Sequence, residues 1–322
     1  MLNALQSRPG AAILAAFAVI YFVWGSTYYA ILVALESMPP FLMSGVRSIA
    51  AGLILALFAR WREGTFRVDW WRALLLGTLF FPMGQGIVTW SERWLPSGTV
   101  ALLVATVPLW VALLDWIGGQ RPSAPIAVGA GLALGLVGVG ILCNPPATPT
   151  GIQGSLLHVA ITIGAALAWS TGTILSRRTK VSDSLLAGTA SKMLAGGVVL
   201  VIVGAGGGER LDPGKITAAS FAAFAYLTIF GSILAFSCYT WLLERVPAYR
   251  VASYAYVNPL VAVAFGGLFA GEAIDGRIAG AASLIVAAVA LVVLSGRKTA
   301  LKEVPATEPP EEPIASTLAR SA

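Results

Sequence analysis

Long apolar segments, separated by short polar ones, constrain this chain more than any other sequence feature. Ten of them approach or exceed the length of about 20 residues that a helix needs to cross a bilayer. Their approximate limits are 11–33, 41–60, 71–91, 98–117, 124–143, 153–176, 184–204, 217–243, 250–270 and 277–295. Only 11% of the residues are charged, against about 25% in soluble proteins. The sequence therefore predicts an all-α integral membrane protein with ten transmembrane helices.

Lysine and arginine are distributed very unequally between the two sides of these predicted helices. With a cytoplasmic N-terminus, fifteen of them fall on the inner side, four on the outer side and two, Arg47 and Lys192, within helices. Since the inner loops of membrane proteins are enriched in Lys and Arg, both termini are predicted to be cytoplasmic. Orientation in the membrane thereby accounts for the net charge of +6, and no nucleic-acid partner is predicted.

The second half of the chain repeats the first. The matched pairs include Trp90 with Trp241, Pro96 with Pro247 and Pro108 with Pro259 at an offset of 151, and Trp24 with Trp169 and Arg47 with Lys192 at an offset of 145. Identities of Ala, Leu and Gly are common by chance in membrane helices, but Trp and Pro pairs in register are not. We therefore interpret the chain as two related halves.

Each half contains five predicted helices, and because five is odd, the second half crosses the membrane in the opposite sense. The predicted organisation is a cytoplasmic N-terminus at 1–10, a first five-helix repeat at 11–143, a second at 153–295 and a disordered cytoplasmic tail at 296–322. Inverted-topology repeats form a mid-membrane site between their halves and open it alternately to each side. The repeat thus points to transport.

Four segments carry a resemblance to a known family: FVWGSTYYAI in the first predicted helix, PPFLMSGVRSIAAGLIL in the second, TWSERWLPSGTVALL between the third and fourth, and YAYVNPLVAVAFGGLFAGE in the ninth. They resemble the drug/metabolite transporter superfamily, in particular its ten-helix members with two EamA-type repeats. The resemblance implies an exporter of small metabolites in the bacterial inner membrane, with amino acids and drug-like amphiphiles as frequent substrates. One departure is that Glu272 occupies the family's usual acidic position after the ninth helix, whereas its repeat mate is Arg121.

Arg47, Lys192 and His158 are ionisable residues within predicted helices, and we take them as candidates for a charged gate or anchor. Ionisable groups are costly inside a bilayer and often functional. Arg47 and Lys192 lie at similar depths from opposite ends, so they either attract a carboxylate at each mouth of a pathway or simply snorkel as packing anchors. His158 changes charge near neutral pH, although a lone histidine is more often a hydrogen-bonded helix residue.

Pro82, Pro108 and Pro259 are predicted hinges, because a proline inside a helix removes a backbone donor and bends the chain. Irregular backbone at bilayer depth is tolerated where it faces protein or a wet cavity. A substrate cavity is therefore predicted beside Pro108 and Pro259, simple packing kinks being the alternative. Aromatic and polar residues near this depth complete the predicted cavity: Trp24, Tyr28, Gln85, Thr106, Trp110, Trp169, Tyr239, Tyr254, Tyr256 and Asn258.

These features predict a secondary transporter that exports small amphipathic metabolites by alternating access, with amino acids, aromatic or hydrophobic ones included, as the first choice. A proton-coupled cationic multidrug exporter is the alternative, although no glutamate lies in the middle of the first helix. An intramembrane enzyme that uses Ser191 and Lys192, or His158, is a remote third possibility. No catalytic residue, metal site or cofactor is predicted. The expected partners are the substrate and membrane lipid, and the protein is expected to be a monomer or a weak homodimer.

Overall fold

The computed structural model describes residues 9–64, 66–95, 97–119, 125–143, 156–270 and 276–294. Within these ranges the chain forms helices joined by turns, and no strand occurs. The predicted tail at 296–322, most of the predicted N-terminus at 1–10, and Arg121 and Glu272 lie outside the described residues. The helices are α1 (Pro9–Leu35), α2 (Pro40–Glu63), α3 (Trp70–Ser91), α4 (Ser97–Val104), α5 (Val107–Ile117), α6 (Pro125–Cys143), α7 (Leu156–Arg178), α8 (Leu185–Gly206), α9 (Ala218–Leu243), α10 (Ala248–Val251), α11 (Tyr254–Ala270) and α12 (Gly276–Leu294).

Six of these helices are long and apolar enough to cross a membrane: α1, α2, α3, α7, α8 and α9. They coincide with the first, second, third, sixth, seventh and eighth predicted helices. Shorter apolar helices lie within three of the remaining predicted spans, at Val107–Ile117, Pro125–Gly138 and Ala279–Ala288. The described part of the chain is therefore an all-helical bundle with the composition of a membrane protein.

Two helices contain a stretch of π-helix at equivalent positions of the repeat. It spans Phe81–Gly86 in α3 and Leu227–Phe236 in α9, and the offset of 151 places the first stretch on residues 232–237. Pro82 lies at the start of the first stretch, where the wider turn accommodates its ring and missing N–H. Such wide turns are rare and occur frequently at functional sites.

The predicted hinge at Pro108 lies directly after a helix break. Helix α4 ends at Val104, and Pro108 is the second residue of α5. In the first turn of a helix the missing N–H of proline leaves no hydrogen bond unmade. The chain is therefore interrupted just before this proline.

The span that contains Pro259 is interrupted earlier in the chain than the proline itself. Helix α10 ends at Val251, a turn occupies residues 252–253, and Pro259 lies inside α11. The hydroxyl of Ser253 donates to the Arg250 carbonyl at 2.7 Å, and such side-chain bonds compete with regular helix. The turn at 252–253 therefore interrupts this span, and Pro259 lies within the helix that follows.

The main contacts between helices are preserved when the two halves are exchanged, α1 for α7, α2 for α8 and so on. Helix α2 packs along α8, and α6 packs along α12. Helix α1 packs on α9 and α11, while α7 packs on α3 and α5; likewise α2 packs on α9 and α8 on α3. Most major neighbours of a helix thus belong to the other half of the chain.

Small residues allow the close approach of α2 and α8, and they do so twice. A Cβ at Gly52 would lie 3.0 Å from the Ala190 carbonyl, and a Cβ at Gly197 would lie 3.1 Å from the Gly45 carbonyl. The offset of 145 maps Gly52 onto Gly197 and Gly45 onto Ala190. The same backbone approach, typical of small residues in membrane helices, is therefore made by equivalent residues of both repeats.

Hydrogen bonds between connecting segments define the two ends of the bundle. We call the end at which α1 finishes end A, and the end at which α2 finishes end B. At end A the Leu42 N–H donates to the Glu209 carboxylate at 2.7 Å. At end B the Asp69 N–H donates to the Val181 carbonyl at 2.9 Å. Each end is thus tied together across the two halves.

Candidate substrate cavity

A cavity lies between the two halves, in the part of the bundle nearer to end A. It encloses about 710 Å³ of space that protein atoms do not fill, part of which is open to the outside. Residues of α1 to α5 line it from the first half, and residues of α7, α9 and α11 line it from the second half. Seven of the predicted site residues line it: Trp24, Tyr28, Arg47, Gln85, Trp169, Tyr254 and Asn258.

Several polar atoms in the wall of this cavity have no hydrogen-bond partner among the described residues. They are the Nε of Arg47, the Nε2 of Gln85, the Oγ1 of Thr89 and the Oδ1 of Asn258. Arg47 is 4% exposed and lies seven residues after Pro40, the first residue of α2, or about 10 Å along the helix. Buried polar groups are normally paired, so these atoms are available to a bound molecule.

The apolar part of the cavity wall is aromatic. The Trp24 ring meets Tyr254 edge-on at a centroid distance of 4.7 Å and Trp169 at 5.6 Å. The Trp24 Nε1–H donates to the Gly231 carbonyl at 3.1 Å, which holds its indole in place. Rings arranged in this way provide a rigid apolar surface next to the unpaired polar atoms.

A second cavity lies at end B and contains the repeat mate of Arg47. It encloses about 1100 Å³ of empty space, including the part open to the outside, and Lys192, Thr240, Asp183 and Glu244 are among its lining residues. The Lys192 Nζ donates to the Ser176 hydroxyl at 3.3 Å. Among the predicted residues only Lys192 lies in this cavity, so sequence reasoning missed its other polar lining.

The two cavities use equivalent residues of the two repeats. Arg47 and Thr89 line the cavity at end A, and their mates Lys192 and Thr240 line the cavity at end B. Lys192 lies seven residues after Leu185, the first residue of α8, which is the same depth as that of Arg47 in α2. One cationic side chain therefore stands at a matched position in each cavity.

A cluster of rings separates the two cavities. We call Phe80, Phe236 and Tyr239 the aromatic plug. The Lys192 Nζ lies 6.0 Å from the ring centroid of Phe80 and 5.9 Å from that of Phe236. On the other side, Phe80 meets Trp169, which lines the end A cavity, at 5.1 Å. Tyr239 is 1% exposed and belongs to this plug instead of the cavity wall.

Three further residues predicted for the cavity lie elsewhere. The Thr106 hydroxyl donates to the Leu103 carbonyl at 2.6 Å, within the break between α4 and α5. Trp110 is half-buried and packs against the apolar core. The Tyr256 hydroxyl donates to the Leu132 carbonyl at 3.0 Å and ties α11 to α6. The side chains of these three residues contact neighbouring helices or turns instead of the cavity, because they point away from the space between the halves.

The predicted gate residue His158 and the predicted pair of Ser191 and Lys192 also lie outside the end A cavity. His158, near the start of α7, stacks on Trp90 at 5.3 Å and contacts Trp94 at 5.1 Å. The Ser191 hydroxyl donates to the Gly188 carbonyl, whereas the Lys192 amine donates to Ser176. The side chains of Ser191 and Lys192 therefore have different partners.

Sequence reasoning missed Glu92, which follows the last residue of α3. The residue is 8% exposed, and neither carboxylate oxygen has a hydrogen-bond partner among the described residues. Burial raises the pKa of this carboxyl well above its usual range. A charged residue in a short connection is normally solvated, so the sequence carried one signal only: its repeat mate is the apolar Leu243.

The fold and the cavities define a class of protein: a membrane transporter built from two similar halves. The sequence pattern of the EamA-like transporter family matches the chain twice, at residues 10–143 and 156–294, and the chain belongs to this family. The resemblance to the drug/metabolite transporters is thereby confirmed.

Individual relatives agree with this assignment. YedA, an inner membrane transporter of Escherichia coli strain K12, is 37% identical over 278 residues, which are 85% of this chain and 88% of YedA. YvbV, a transporter of Bacillus subtilis strain 168, is 28% identical over 287 residues, which are 87% of this chain and 90% of YvbV. A solved crystal structure that is 21% identical superposes with a TM-score of 0.72 over 90% of this chain and 98% of its own. That structure shows the shared fold.

Proposed function

We propose that this protein is a secondary transporter that exports small amphipathic metabolites, amino acids first, across the bacterial inner membrane by alternating access. The observation that carries the proposal is the end A cavity, which is lined both by a buried guanidinium whose Nε has no partner among the described residues and by aromatic rings. Its membership of a transporter family supports the general task. The choice of substrate rests on the chemistry of the lining.

The cavity chemistry suits a molecule with a carboxylate, an amine and an apolar side chain. Arg47 presents an N–H to a carboxylate, and charge-assisted bonds of this kind are roughly twice as strong as neutral ones. The Oδ1 of Asn258 accepts from an ammonium group. Trp24, Trp169 and Tyr254 enclose the side chain. An aromatic or hydrophobic amino acid meets all three requirements.

The proposed architecture is ten transmembrane helices in two inverted five-helix repeats, at 11–143 and 153–295, with both termini cytoplasmic. The main helix contacts recur when the two halves are exchanged, and this symmetry supports two repeats of opposite orientation. The basic residues favour end B as the cytoplasmic end, since Arg60, Arg62, Arg177 and Arg178 lie at the end B termini of α2 and α7. On this orientation Lys192 meets the substrate from the cytoplasm, and Arg47 holds it before release outside.

Competition between matched small molecules tests the proposed substrate chemistry. Proteoliposomes loaded with unlabelled L-phenylalanine should take up labelled L-phenylalanine by counterflow without ATP. Excess unlabelled L-phenylalanine should abolish this uptake. L-phenylalanine amide, which lacks only the carboxylate, should compete at least about tenfold more weakly, because it loses the contact with Arg47.

The same assay separates the alternatives. The described residues that line the end A cavity include one charged side chain, that of Arg47, which repels cations. A carboxylate substrate would be contradicted if phenethylamine and the amide compete better than the amino acid does. That result would favour a cationic drug exporter. An absence of counterflow across a panel of L-phenylalanine, L-leucine and L-threonine would contradict amino-acid transport itself.

A further inference from the structure

Glu92 lies on the side of α3 that faces the end A cavity. Val88 and Thr89, four and three residues earlier, both line that cavity. The Glu92 N–H donates to the Val88 carbonyl at 3.3 Å, so the helical course continues to this residue. Residues three and four apart share a helix face. Glu92 therefore stands about one turn, or roughly 5 Å, from the cavity wall toward end A.

The position does not require a carboxyl group for packing. In the second repeat the equivalent residue is Leu243, which is 3% exposed. A buried leucine at the matched position shows that an apolar side chain suits this place in the fold. Burying a carboxylate without a hydrogen bond is costly, so its presence in one repeat alone calls for a function.

Few charged groups surround this carboxyl. The last turn of α3 packs against α2, α4 and α7. The titratable or charged residues that these elements and the turn bring to end A are Arg93, exposed and next in the chain, His158, stacked on Trp90, and Arg47, in the cavity wall. Within the described ranges no hydrogen bond links either oxygen of Glu92 to any of them.

We propose that Glu92 is a proton-binding site at the end A rim of the cavity, and that a proton bound there moves inward in exchange for substrate that moves outward. This inference rests on the proposed function. The chemical step is balanced: the carboxylate takes up one proton from the outer solution to become a carboxylic acid, and it returns that proton to the inner solution after the cavity has changed sides.

The environment of Glu92 supplies the dependence on conformation that coupling requires. Buried as it is here, the carboxyl group is stable in the protonated, neutral form. The ionised form requires water, which reaches the group only when the surrounding helices separate. Movement of α3 relative to α7 thus changes the affinity for the proton.

Transport with and without a pH gradient tests the inference. Proteoliposomes containing wild type, Glu92→Gln or Glu36→Gln are compared, with the membrane potential clamped by potassium and valinomycin. Glu36, exposed at the same end of the bundle, is the matched control. Labelled L-phenylalanine is the probe, and trapped pyranine reports internal pH.

With the interior one pH unit more acidic, wild type and Glu36→Gln should accumulate the probe about tenfold above equilibrium, and pyranine should report proton efflux. Glu92→Gln should show no accumulation and no proton movement, while its counterflow stays above that of protein-free vesicles. Glu92→Leu, which copies the second repeat, should behave in the same way and covers the case in which glutamine disturbs the fold.

Two results would overturn the inference while leaving the proposed function intact. One is accumulation by Glu92→Gln or Glu92→Leu equal to that of wild type. The other is counterflow by wild type that does not respond to the pH gradient. Absence of any wild-type counterflow would refute the proposed function for this probe, and the coupling with it.

Discussion

The end A and end B cavities are lined by equivalent positions of the two repeats, yet the side chains at these positions differ in size. On the end B side the aromatic plug lies next to Lys192, with the Phe80 and Phe236 rings near its Nζ. On the end A side the matched positions leave space open in the cavity that Arg47 lines. The matched pairs are Phe80 with Gly231, Phe236 with Gln85 and Tyr239 with Val88, and the second member of each pair lines the end A cavity.

This difference shows how a repeated backbone acquires two unlike ends. The main helix contacts recur in both halves, whereas the side chains at these matched positions differ in size. Three large side chains in place of smaller ones separate the end A cavity from end B. The cations follow the same division: Lys192 donates to Ser176 and lies near two rings, whereas the Nε of Arg47 has no partner in the described part of the chain.

Removing a ring from the aromatic plug should have the largest effect on this difference. Phe80→Ala should lower the free energy of unfolding by about 3–5 kcal/mol, because Phe80 is completely buried. It should also open a path between the cavities, so that a cysteine introduced at Ser176 reacts faster with a polar maleimide added from the end A side. Phe221→Ala, at an exposed ring, is the control and should change neither. Unchanged labelling in a folded Phe80→Ala protein would contradict the role of the plug.

The two cations should differ in their contribution to transport. Arg47→Gln should reduce counterflow of L-phenylalanine about 100-fold. It removes a buried charge whose contact with the substrate carboxylate is expected to contribute about 3 kcal/mol to the binding free energy. Lys192→Gln should reduce it about tenfold, because Ser176 and the neighbouring rings remain. Initial rates at matched protein content measure both effects. Equal losses would show that the two cavities bind substrate equally.

The tight packing of α3 against α8 is a second feature in which the two repeats differ, and it predicts an effect on stability. A Cβ on Gly77 would lie 2.5 Å from the Lys192 carbonyl, and one on Gly196 would overlap the Gly77 carbonyl. Gly196→Ala should therefore lower the free energy of unfolding by about 1–3 kcal/mol. Gly164→Ala, where a Cβ would meet nothing within 4 Å, should be neutral or slightly stabilising. Thermal unfolding in detergent measures both; equal midpoints would argue against a rigid α3–α8 contact.

Glu92 and its mate Leu243 predict a smaller effect that depends on pH. Because the pKa of Glu92 is raised in the folded protein, its contribution to stability is fully present below the unfolded carboxyl pKa of about 4.3 and is lost as pH rises toward the folded value. The loss amounts to about 1.4 kcal/mol per pH unit within that window. Glu92→Leu should remove this slope, as thermal unfolding midpoints across pH would show. The same slope in both proteins would place its origin elsewhere.

The sequence predicted those features that leave a one-dimensional pattern. Apolar length located the six long helices, and repeated Trp and Pro residues aligned the two halves. It did not single out Phe80 or Phe236, because a phenylalanine in an apolar helix looks the same whether it faces lipid or another ring. Glu92 was missed because its burial depends on tertiary contacts, including the 2.8 Å hydrogen bond between Ser91 and Thr162 of α7. The early turn at 252–253 depends on a local hydroxyl contact that proline spacing does not encode.

The exchange of neighbours between the halves has a consequence for how such a protein is made. Because α1 packs on α9 and α11, and α7 on α3 and α5, each half on its own would leave its main packing surfaces uncovered. Two separate genes would have to supply the halves in equal amounts and, on the proposed architecture, in opposite membrane orientations. A single open reading frame guarantees the one-to-one stoichiometry and, on the proposed inverted architecture, the pairing of each half with a partner of the opposite orientation.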